Sequence, residues 1–483
     1  MPIQVSLKRN VILNVFRTLL SIIFPLITFP YAARVLQPEG IGSVQFASGV
    51  ISYFVMFAGL GIGVYGIREA AKKRDNRKDL TKISKELFLL NIIPTVIAYF
   101  LFAIALLFVP KLSAYRDLLM AYSATILFSV LGMEWLYSAL EQYAYITLRQ
   151  LIFQVISLVA LFVFVKNRDD AIKYALISVF ANVGSNICNL IHSRKYIDWN
   201  QSVSLEIRRH LKPVLILFGM RVAASLYVTL DTTLLGFLAD DCQVGYYEAA
   251  NKMTRIVVML ITSVIGVMLP RLSYFAEKKN MSAFIGLSEK SIRIMLMFAL
   301  PMMVGLYVLS GNITLVISGV QFEPAIPIMR LLSFLVVIIP LSGFIGNQLF
   351  LPLGKEQFSL YAMLTGAATN LILSVPFIRF FGAWGAALAS VIAETGIVIF
   401  YVVSAYKMHL FAFSLKPVLL YTVASVCMAI PVFLFNSIAL PLFTKTICAV
   451  LLGMLVYTFL LFLVHDKMAL DLYGQIKQKL SKQ

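Results

Sequence analysis

Long apolar stretches recur along the whole of this 483-residue sequence, and they constrain its fold more than any other feature. Hydrophobic residues make up 60% of the chain, and many runs are long enough to cross ~30 Å of hydrocarbon as a helix. In lipid every backbone polar group needs a partner within the protein, so repeated runs of this length favour helices. The sequence therefore predicts an all-α integral membrane protein with about fourteen transmembrane helices.

Basic residues are concentrated in alternate connections between the predicted spans. Lys and Arg number 41 against 23 acidic residues, and most lie on the same side as the N-terminus. Short basic loops resist translocation, so this bias predicts cytoplasmic N and C termini. The run from Arg68 to Lys85 and the tail with Lys477 and Lys482 would then bind anionic lipid. This accounts for most of the net charge of +18 without a nucleic-acid partner.

An internal repeat predicts how the spans are organised. Sliding the sequence against itself by 203 residues aligns Gly42 with Gly245 and Arg68 with Arg271. The match pairs the second predicted span with the eighth, so each copy has six spans and starts from the same side. Chance similarity between two apolar helices is the alternative. The repeat predicts two parallel six-helix lobes, an arrangement known among secondary transporters.

This repeat divides the chain into four predicted parts. They are an N-terminal six-helix lobe (1–196), a cytoplasmic linker (197–211), a C-terminal six-helix lobe (212–407), and an extra transmembrane hairpin with a basic cytoplasmic tail (408–483). The linker is rich in charged residues, and we expect it to lie along the inner surface of the membrane.

Cationic side chains inside apolar spans are the first functional candidates, because a charge at membrane depth is costly and usually functional. The predicted substrate-binding residues are Arg17, Arg221, Arg255, Lys252, Arg330 and Asn14. Asn14 is included because it lies one turn from Arg17 on a polar helix face. Two structural alternatives stay open: Glu248 and Lys252 could neutralise each other, and Arg330 could extend to the outer surface.

Acidic side chains inside the spans form a second group of candidates. They are Asp231, Glu248, Glu394 and, nearer the inner face, Glu134. The protonation of a carboxylate in a low-dielectric cavity depends on nearby cations, which makes these residues candidates for ion coupling. The alternative is that each acid is a structural partner of a buried arginine.

Motifs of soluble enzymes do not occur in the sequence. It has no glycine-rich phosphate loop, so we do not expect transport driven directly by ATP. No connection between the spans is long enough to fold as a catalytic domain, so we do not expect an enzyme. The four cysteines lack metal-ligand spacing, and no cofactor or metal is predicted. The histidines, His210 among them, are interpreted as interfacial side chains.

Several short motifs resemble those of the polysaccharide-specific transporters, the Wzx-type flippases of the multidrug/oligosaccharidyl-lipid/polysaccharide exporter superfamily. The resemblance covers nearly the whole chain. Its carriers include Tyr31-Ala32-Ala33-Arg34-Val35-Leu36, Gly59-Leu60-Gly61, Glu134-Trp135, Phe322-Glu323-Pro324-Ala325 and Gly382-Ala383-Trp384-Gly385-Ala386-Ala387.

This resemblance implies a two-lobed, V-shaped fold with a cationic central cavity that works by alternating access. It also implies a flippase in the bacterial plasma membrane that moves an undecaprenyl-diphosphate-linked oligosaccharide from the inner to the outer leaflet. A polysaccharide polymerase and glycosyltransferases would be its functional partners. A multidrug exporter of the same superfamily, driven by cation antiport, is the alternative function, and a membrane polysaccharide polymerase is a further one.

Overall fold

Helices make up all the regular secondary structure in the part of the chain that the structure describes, as the apolar runs predict. The computed structural model describes residues 7–410, 415–466, 468–471 and 474, without the side chains of 7–22, 220, 223–228, 264 and 415. The chain forms two compact units, Met1–Gly245 and Tyr246–Gln483. The predicted division into lobes at 196 and 212 stays a prediction.

The first unit is built from ten helices within its described residues. They are α1 (Leu7–Gly59), α2 (Ile62–Ala71), α3 (Arg77–Phe108), α4 (Pro110–Ser113), α5 (Arg116–Leu131), α6 (Glu134–Ala139), α7 (Tyr143–Phe164), α8 (Ala171–Val179), α9 (Asn186–Ser193) and α10 (Arg208–Leu238). The π-helical turn Phe180–Gly184 joins α8 to α9.

The second unit continues from a helix that begins at the end of the first. Its described helices are α11 (Asp241–Gly266), α12 (Leu269–Glu277), α13 (Met281–Val308), α14 (Ser310–Ile317), α15 (Ala325–Leu332), α16 (Leu335–Phe344), α17 (Glu356–Lys407), α18 (Leu415–Asn436) and α19 (Leu442–Leu463). The π-helical turn Ile345–Phe350 follows α16.

Ten helical stretches of the described chain are long and apolar enough to cross a membrane. Two of them, Ile23–Ala71 with 49 residues and Glu356–Lys407 with 52, far exceed the ~20 residues that one crossing needs. Each contains a residue with a positive φ, 61° at Gln37 and 57° at Gly382, where the helix is interrupted. An integral membrane fold is thereby confirmed, while the predicted number of fourteen spans stays a prediction.

Gly382 and Gly385 explain one of the motifs that the sequence singled out. Gly382 has the left-handed conformation that a residue without a Cβ adopts at little cost. Three residues later, a Cβ on Gly385 would lie 2.0 Å from the carbonyl oxygen of Phe377, so the two arms of α17 pack backbone to backbone. The glycines therefore allow α17 to turn back on itself.

Each unit uses an asparagine to begin its third helix. Oδ1 of Asn76 accepts hydrogen bonds from the backbone N–H of Lys78 at 3.0 Å and of Asp79 at 3.4 Å, ahead of α3. Oδ1 of Asn280 accepts from the backbone N–H of Ala283 at 3.1 Å, ahead of α13. Such caps satisfy N–H groups that have no partner within the helix.

Gly42 and Gly245 make reciprocal close contacts between α1 and α11. A Cβ on Gly42 would lie 1.7 Å from the carbonyl oxygen of Asp241, and a Cβ on Gly245 would lie 2.1 Å from that of Pro38. Because a shift of 203 residues converts one contact into the other, a local two-fold rotation would exchange them. The predicted repeat of two six-helix lobes itself stays a prediction.

Candidate functional site

Three of the predicted substrate-binding residues lie on α1 and α10 of the first unit. Arg17 and Asn14 belong to the described backbone of α1, but their side chains lie outside the described residues. The side chain of Arg221 is exposed on α10, and a Cβ on Gly63 of α2 would lie 3.6 Å from its Nη1. The guanidinium of Arg221 therefore lies near α2 while its side chain stays accessible.

Helix α11 presents a polar face in the second unit. Nε of Arg255 donates a hydrogen bond to Oδ1 of Asn251, one turn earlier, at 3.1 Å. No other hydrogen-bond partner of Arg255 occurs among the described residues, so its two Nη groups are available to a ligand. Glu248 and Lys252 lie one turn apart, are half-buried, and interact electrostatically. The structure thus supports the alternative that Glu248 and Lys252 neutralise each other. The charge of Arg255 has no such acidic partner one turn away on α11.

Arg330 has two local partners in the second unit. Its Nε donates to Oγ of Ser310 at 3.1 Å, and its guanidinium carbon lies 6.0 Å from the ring centroid of Tyr307. A hydroxyl and an aromatic face both stabilise a guanidinium without removing its charge. The side chain is exposed on α15, and neither partner neutralises it.

Two of the predicted ion-coupling residues are buried. Asp231 on α10 is 9% exposed, and Glu394 on α17 is 5% exposed. No described group hydrogen-bonds to Oε2 of Glu394. Asp231 is ten residues from Arg221 on the same helix, about 15 Å along its axis, so the two do not form an ion pair. Glu394 is therefore a buried acid that can exchange a proton or hold a cation.

Glu134, the fourth predicted acid, lies near an arginine that the sequence analysis did not select. Arg149 on α7 is only 8% exposed, and its charge interacts with that of Glu134. Nη1 of Arg149 donates to the carbonyl oxygen of Ser185 at 3.0 Å. Glu134 thus fits the structural alternative, as a neighbour of a buried cation. The sequence analysis did not select Arg149, because it lies close to the start of α7, just after a connecting loop.

A buried network around Glu86 was also missed. Glu86 on α3 is fully buried, and its Oε2 lies 2.7 Å from Nη2 of Arg209 and 2.9 Å from Nε2 of His210. Nδ1 of the same imidazole lies 2.8 Å from the hydroxyl of Tyr65. The interpretation of His210 as an interfacial residue was wrong, because it pairs with a carboxylate 124 residues away.

The predicted linker 197–211 is fastened to α3 on either side of this network. Nζ of Lys82 lies 2.6 Å from Oε1 of Glu206, and Nζ of Lys85 donates to the carbonyl oxygen of Gln201 at 2.5 Å. The hydrogen bond from Lys82 holds the pKa of Glu206 below its usual range. The linker therefore follows α3 closely before α10 begins at Arg208.

Comparison with known proteins identifies related sequences. The model of the family "Polysaccharide biosynthesis protein" matches residues 7–276, more than half of the chain. A putative O-antigen transporter of Escherichia coli K12 is 26% identical over 81% of this chain and 94% of its own length. A probable low-salt glycan biosynthesis flippase of Haloferax volcanii, Agl15, is 25% identical over 48% of this chain and 49% of its own.

Two solved structures share the fold. The lipid II flippase MurJ, in an inward closed conformation, matches 95% of this chain and 99% of its own with a TM-score of 0.76 and 18% identity. An inward-facing multidrug transporter of the MATE family matches 80% of this chain and 93% of its own, with a TM-score of 0.63 and 14% identity.

Proposed function

Because the chain belongs to the polysaccharide biosynthesis protein family, we propose that it is a flippase for a lipid-linked oligosaccharide. The relatives over most of its length are named O-antigen transporters, and a further one is named a glycan biosynthesis flippase. The fold it shares with a lipid II flippase supports the same class of activity. The transport direction is from the inner to the outer leaflet of a bacterial plasma membrane, with both termini cytoplasmic.

The main structural observation that supports this proposal is the polar face of α11. A lipid-linked oligosaccharide has a tail that can stay in hydrocarbon and a diphosphate and sugar that cannot. Arg255 offers two unoccupied Nη groups within a long helix of the membrane fold, and a guanidinium matches phosphate oxygens in a fork geometry. Arg17, Arg221 and Arg255 are proposed to bind the diphosphate, with Asn14, Lys252 and Arg330 as further polar contacts to the cargo.

Alternating access requires the protein to return to its starting conformation after each transfer. Glu394 is the proposed site at which an ion is coupled to that conformational cycle. Its buried carboxyl group has one oxygen without a hydrogen-bond partner in the described structure. A buried carboxylate without a partner is costly, so a proton or a cation has to accompany the side chain. Glu248 and Glu134 are weaker candidates because each interacts with other groups of the protein, and Asp231 is intermediate because it has such an interaction although its Oδ1 lacks a hydrogen-bond partner in the described structure.

Export of cationic drugs is the second candidate, since the MATE fold is shared. A cationic cargo needs acidic contacts, whereas Arg221, Arg255 and Arg330 present positive charge. The flippase is therefore favoured. Polymerases and glycosyltransferases that make and consume the lipid-linked sugar are its proposed functional partners.

Complementation of a bacterial strain that lacks its O-antigen flippase tests the proposal. Expression of this chain should restore surface polysaccharide, because the missing step is leaflet transfer of the lipid-linked unit. A drug-sensitive strain that lacks its multidrug exporters is the parallel control, and its resistance should not change. Resistance without restored polysaccharide, at equal protein levels in the membrane, would reverse the assignment.

A further inference from the structure

A cavity of about 510 Å³ opens between α3, α9 and the linker, all within the first unit. Its lining includes Arg77, Arg194, Phe88, Ile191 and Trp199. None of these belongs to the proposed transport site. The cavity therefore calls for an explanation of its own.

Two arginines that lack an ion-pair partner among the described residues line the cavity. Arg77 begins α3, Arg194 follows α9, and Nη2 of Arg77 donates to the carbonyl oxygen of Arg194 at 3.5 Å. Neither arginine forms an ion pair with any acid in the described part of the chain. Because both cations line one cavity, an anion bound there is attracted by each of them. The cavity is thus suited to a phosphate group.

Apolar side chains of the same elements also line the cavity, and they continue onto the surface of the helices. Ile191 is 64% exposed on α9, one turn before the charged end of the helix. The ring centroids of Phe88 and Trp199 lie 5.2 Å apart, and Nε1 of Trp199 donates to Oγ of Ser193 at 3.0 Å. An indole with one polar and one apolar side is typical of the membrane–water interface. A ligand here needs a charged head and an apolar body.

One acidic residue, Asp198, also lines the cavity and limits which ligands fit it. The side chain of Asp198 is exposed, and its Oδ1 accepts a hydrogen bond from the backbone N–H of Asn200 at 3.0 Å. A carboxylate repels a second phosphate but accepts hydrogen bonds from hydroxyl groups. The lining therefore favours a headgroup with one phosphate and free hydroxyls over a diphosphate.

We propose that this cavity binds the headgroup of phosphatidylglycerol, with its phosphate between Arg77 and Arg194 and its glycerol hydroxyls beside Asp198. The acyl chains lie along Ile191 and the neighbouring apolar surface of α9. Because the linker forms one wall, the bound lipid holds the linker against α3. Basic residues are concentrated in the connections at this end of the helices, which predicts that it lies at the cytoplasmic leaflet. Anionic lipids there attract positive side chains.

Lipid retention by the purified full-length protein tests the site. Native mass spectrometry in detergent, with phosphatidylglycerol titrated in, should show one tightly bound lipid. The double variant Arg77→Gln with Arg194→Gln should bind it about thirtyfold more weakly, since each of the two lost cations contributes on the order of 1 kcal/mol at an anionic lipid. Arg77→Lys with Arg194→Lys should retain most of the affinity. Phosphatidylcholine and soluble glycerol phosphate should both bind weakly, because one lacks net charge and the other lacks an apolar body.

A matched control removes two other exposed cations. Lys78→Gln with Arg208→Gln changes the net charge equally but touches no residue of the cavity lining, and affinity should stay within about twofold. Equal weakening by both double variants would mean that only general surface charge attracts lipid, which contradicts a defined site. Tight binding of soluble glycerol phosphate would contradict a lipid site, and preference for a lipid-linked diphosphate would assign the cavity to the transport substrate.

Trp199 provides a measurement that leaves the arginines unchanged. In vesicles that contain phosphatidylglycerol brominated near the headgroup, wild-type fluorescence should be quenched more than that of Trp199→Phe. The difference should disappear when the brominated lipid is phosphatidylcholine in a background of unlabelled phosphatidylglycerol. Equal quenching of Trp199 by the two brominated lipids would overturn the proposal, because it indicates contact with bulk lipid only.

Discussion

Oε2 of Glu86 lies 2.9 Å from Nε2 of His210, which joins a fully buried carboxylate on α3 to the first turn of α10. The same oxygen lies 2.7 Å from Nη2 of Arg209, and Oε1 accepts a hydrogen bond from the backbone N–H of Glu206 at 2.8 Å. One side chain of α3 therefore contacts both the linker and the helix that follows it, in addition to the contacts that Lys82 and Lys85 make with the linker.

Removing that carboxylate should destabilise the protein. Glu86→Ala leaves buried polar partners unsatisfied, and we expect a loss of about 3 kcal/mol or more in unfolding free energy. Glu86→Gln keeps the shape and loses the charge, so its effect should be smaller. Glu206→Ala, at a side chain that is 58% exposed, is the control and should cost under about 1 kcal/mol. Thermal unfolding in detergent measures all three, and equal melting temperatures for Glu86→Ala and Glu206→Ala would contradict the network's structural role.

The glycine contact between α1 and α11 gives a second prediction. Gly42→Ala and Gly245→Ala each place a methyl group within 2.1 Å of a backbone carbonyl oxygen, and backbone cannot move aside like a flexible side chain. Both variants should reduce the yield of folded protein several-fold. Gly286→Ala within α13 is the control, because its Cβ meets nothing within 4 Å and alanine favours the helix by about 1 kcal/mol. Size-exclusion profiles compare the three variants, and normal yield from Gly42→Ala would exclude a tight contact.

Much of this fold can be predicted from the sequence, because hydrophobic length and helical period are local properties. The close contacts of Gly42 and Gly245 are signalled in part, since both glycines stand at matching positions of the predicted repeat, which itself stays a prediction. The role of Gly382 is readable only in part, because a glycine signals an unusual conformation without specifying a turn between two arms of one helix.

The polar networks could not be predicted in the same way. Glu86 lies in a basic, charged stretch that reads as solvated surface, and its partner His210 is 124 residues distant. The cavity joins Arg77 to Arg194, which are brought together only by the packing of α3 against the end of α9 and the linker. For Lys252 the sequence left two interpretations open, substrate binding and neutralisation by Glu248, and in the structure Lys252 interacts electrostatically with Glu248.

The proposed binding of the diphosphate by Arg255 on α11 and Arg17 on α1 gives a third prediction, which concerns transport. Arg255→Ala and Arg17→Ala should reduce restored polysaccharide by about tenfold or more, Arg255→Lys should reduce it less, and Arg255→Glu should abolish it. Arg271→Ala, at an exposed cation on α12, is the control. Polysaccharide is measured against protein level in the membrane. If well-expressed Arg255→Ala and Arg17→Ala both restore full polysaccharide, these residues do not bind the diphosphate.

Glu394 gives a fourth prediction, for energy coupling. Glu394→Gln keeps the size of the side chain but cannot exchange a proton, so transport should slow and lose its response to an imposed proton or sodium gradient. Glu356→Gln, at an exposed position in the first turn of α17, should keep the wild-type response. Gradient dependence is measured in proteoliposomes. An unchanged gradient response in Glu394→Gln would place the coupling elsewhere.

Leaflet transfer of a fluorescent undecaprenyl-diphosphate oligosaccharide in proteoliposomes that contain only this protein tests the central claim most directly. Access of a membrane-impermeant quencher or sugar-binding protein reports how much substrate has changed leaflet. The account predicts transfer that depends on the protein, is strongly reduced by Arg255→Ala, and is unchanged by Arg271→Ala. Transfer no faster than in protein-free liposomes, from correctly folded protein that instead moves a cationic dye, would contradict it.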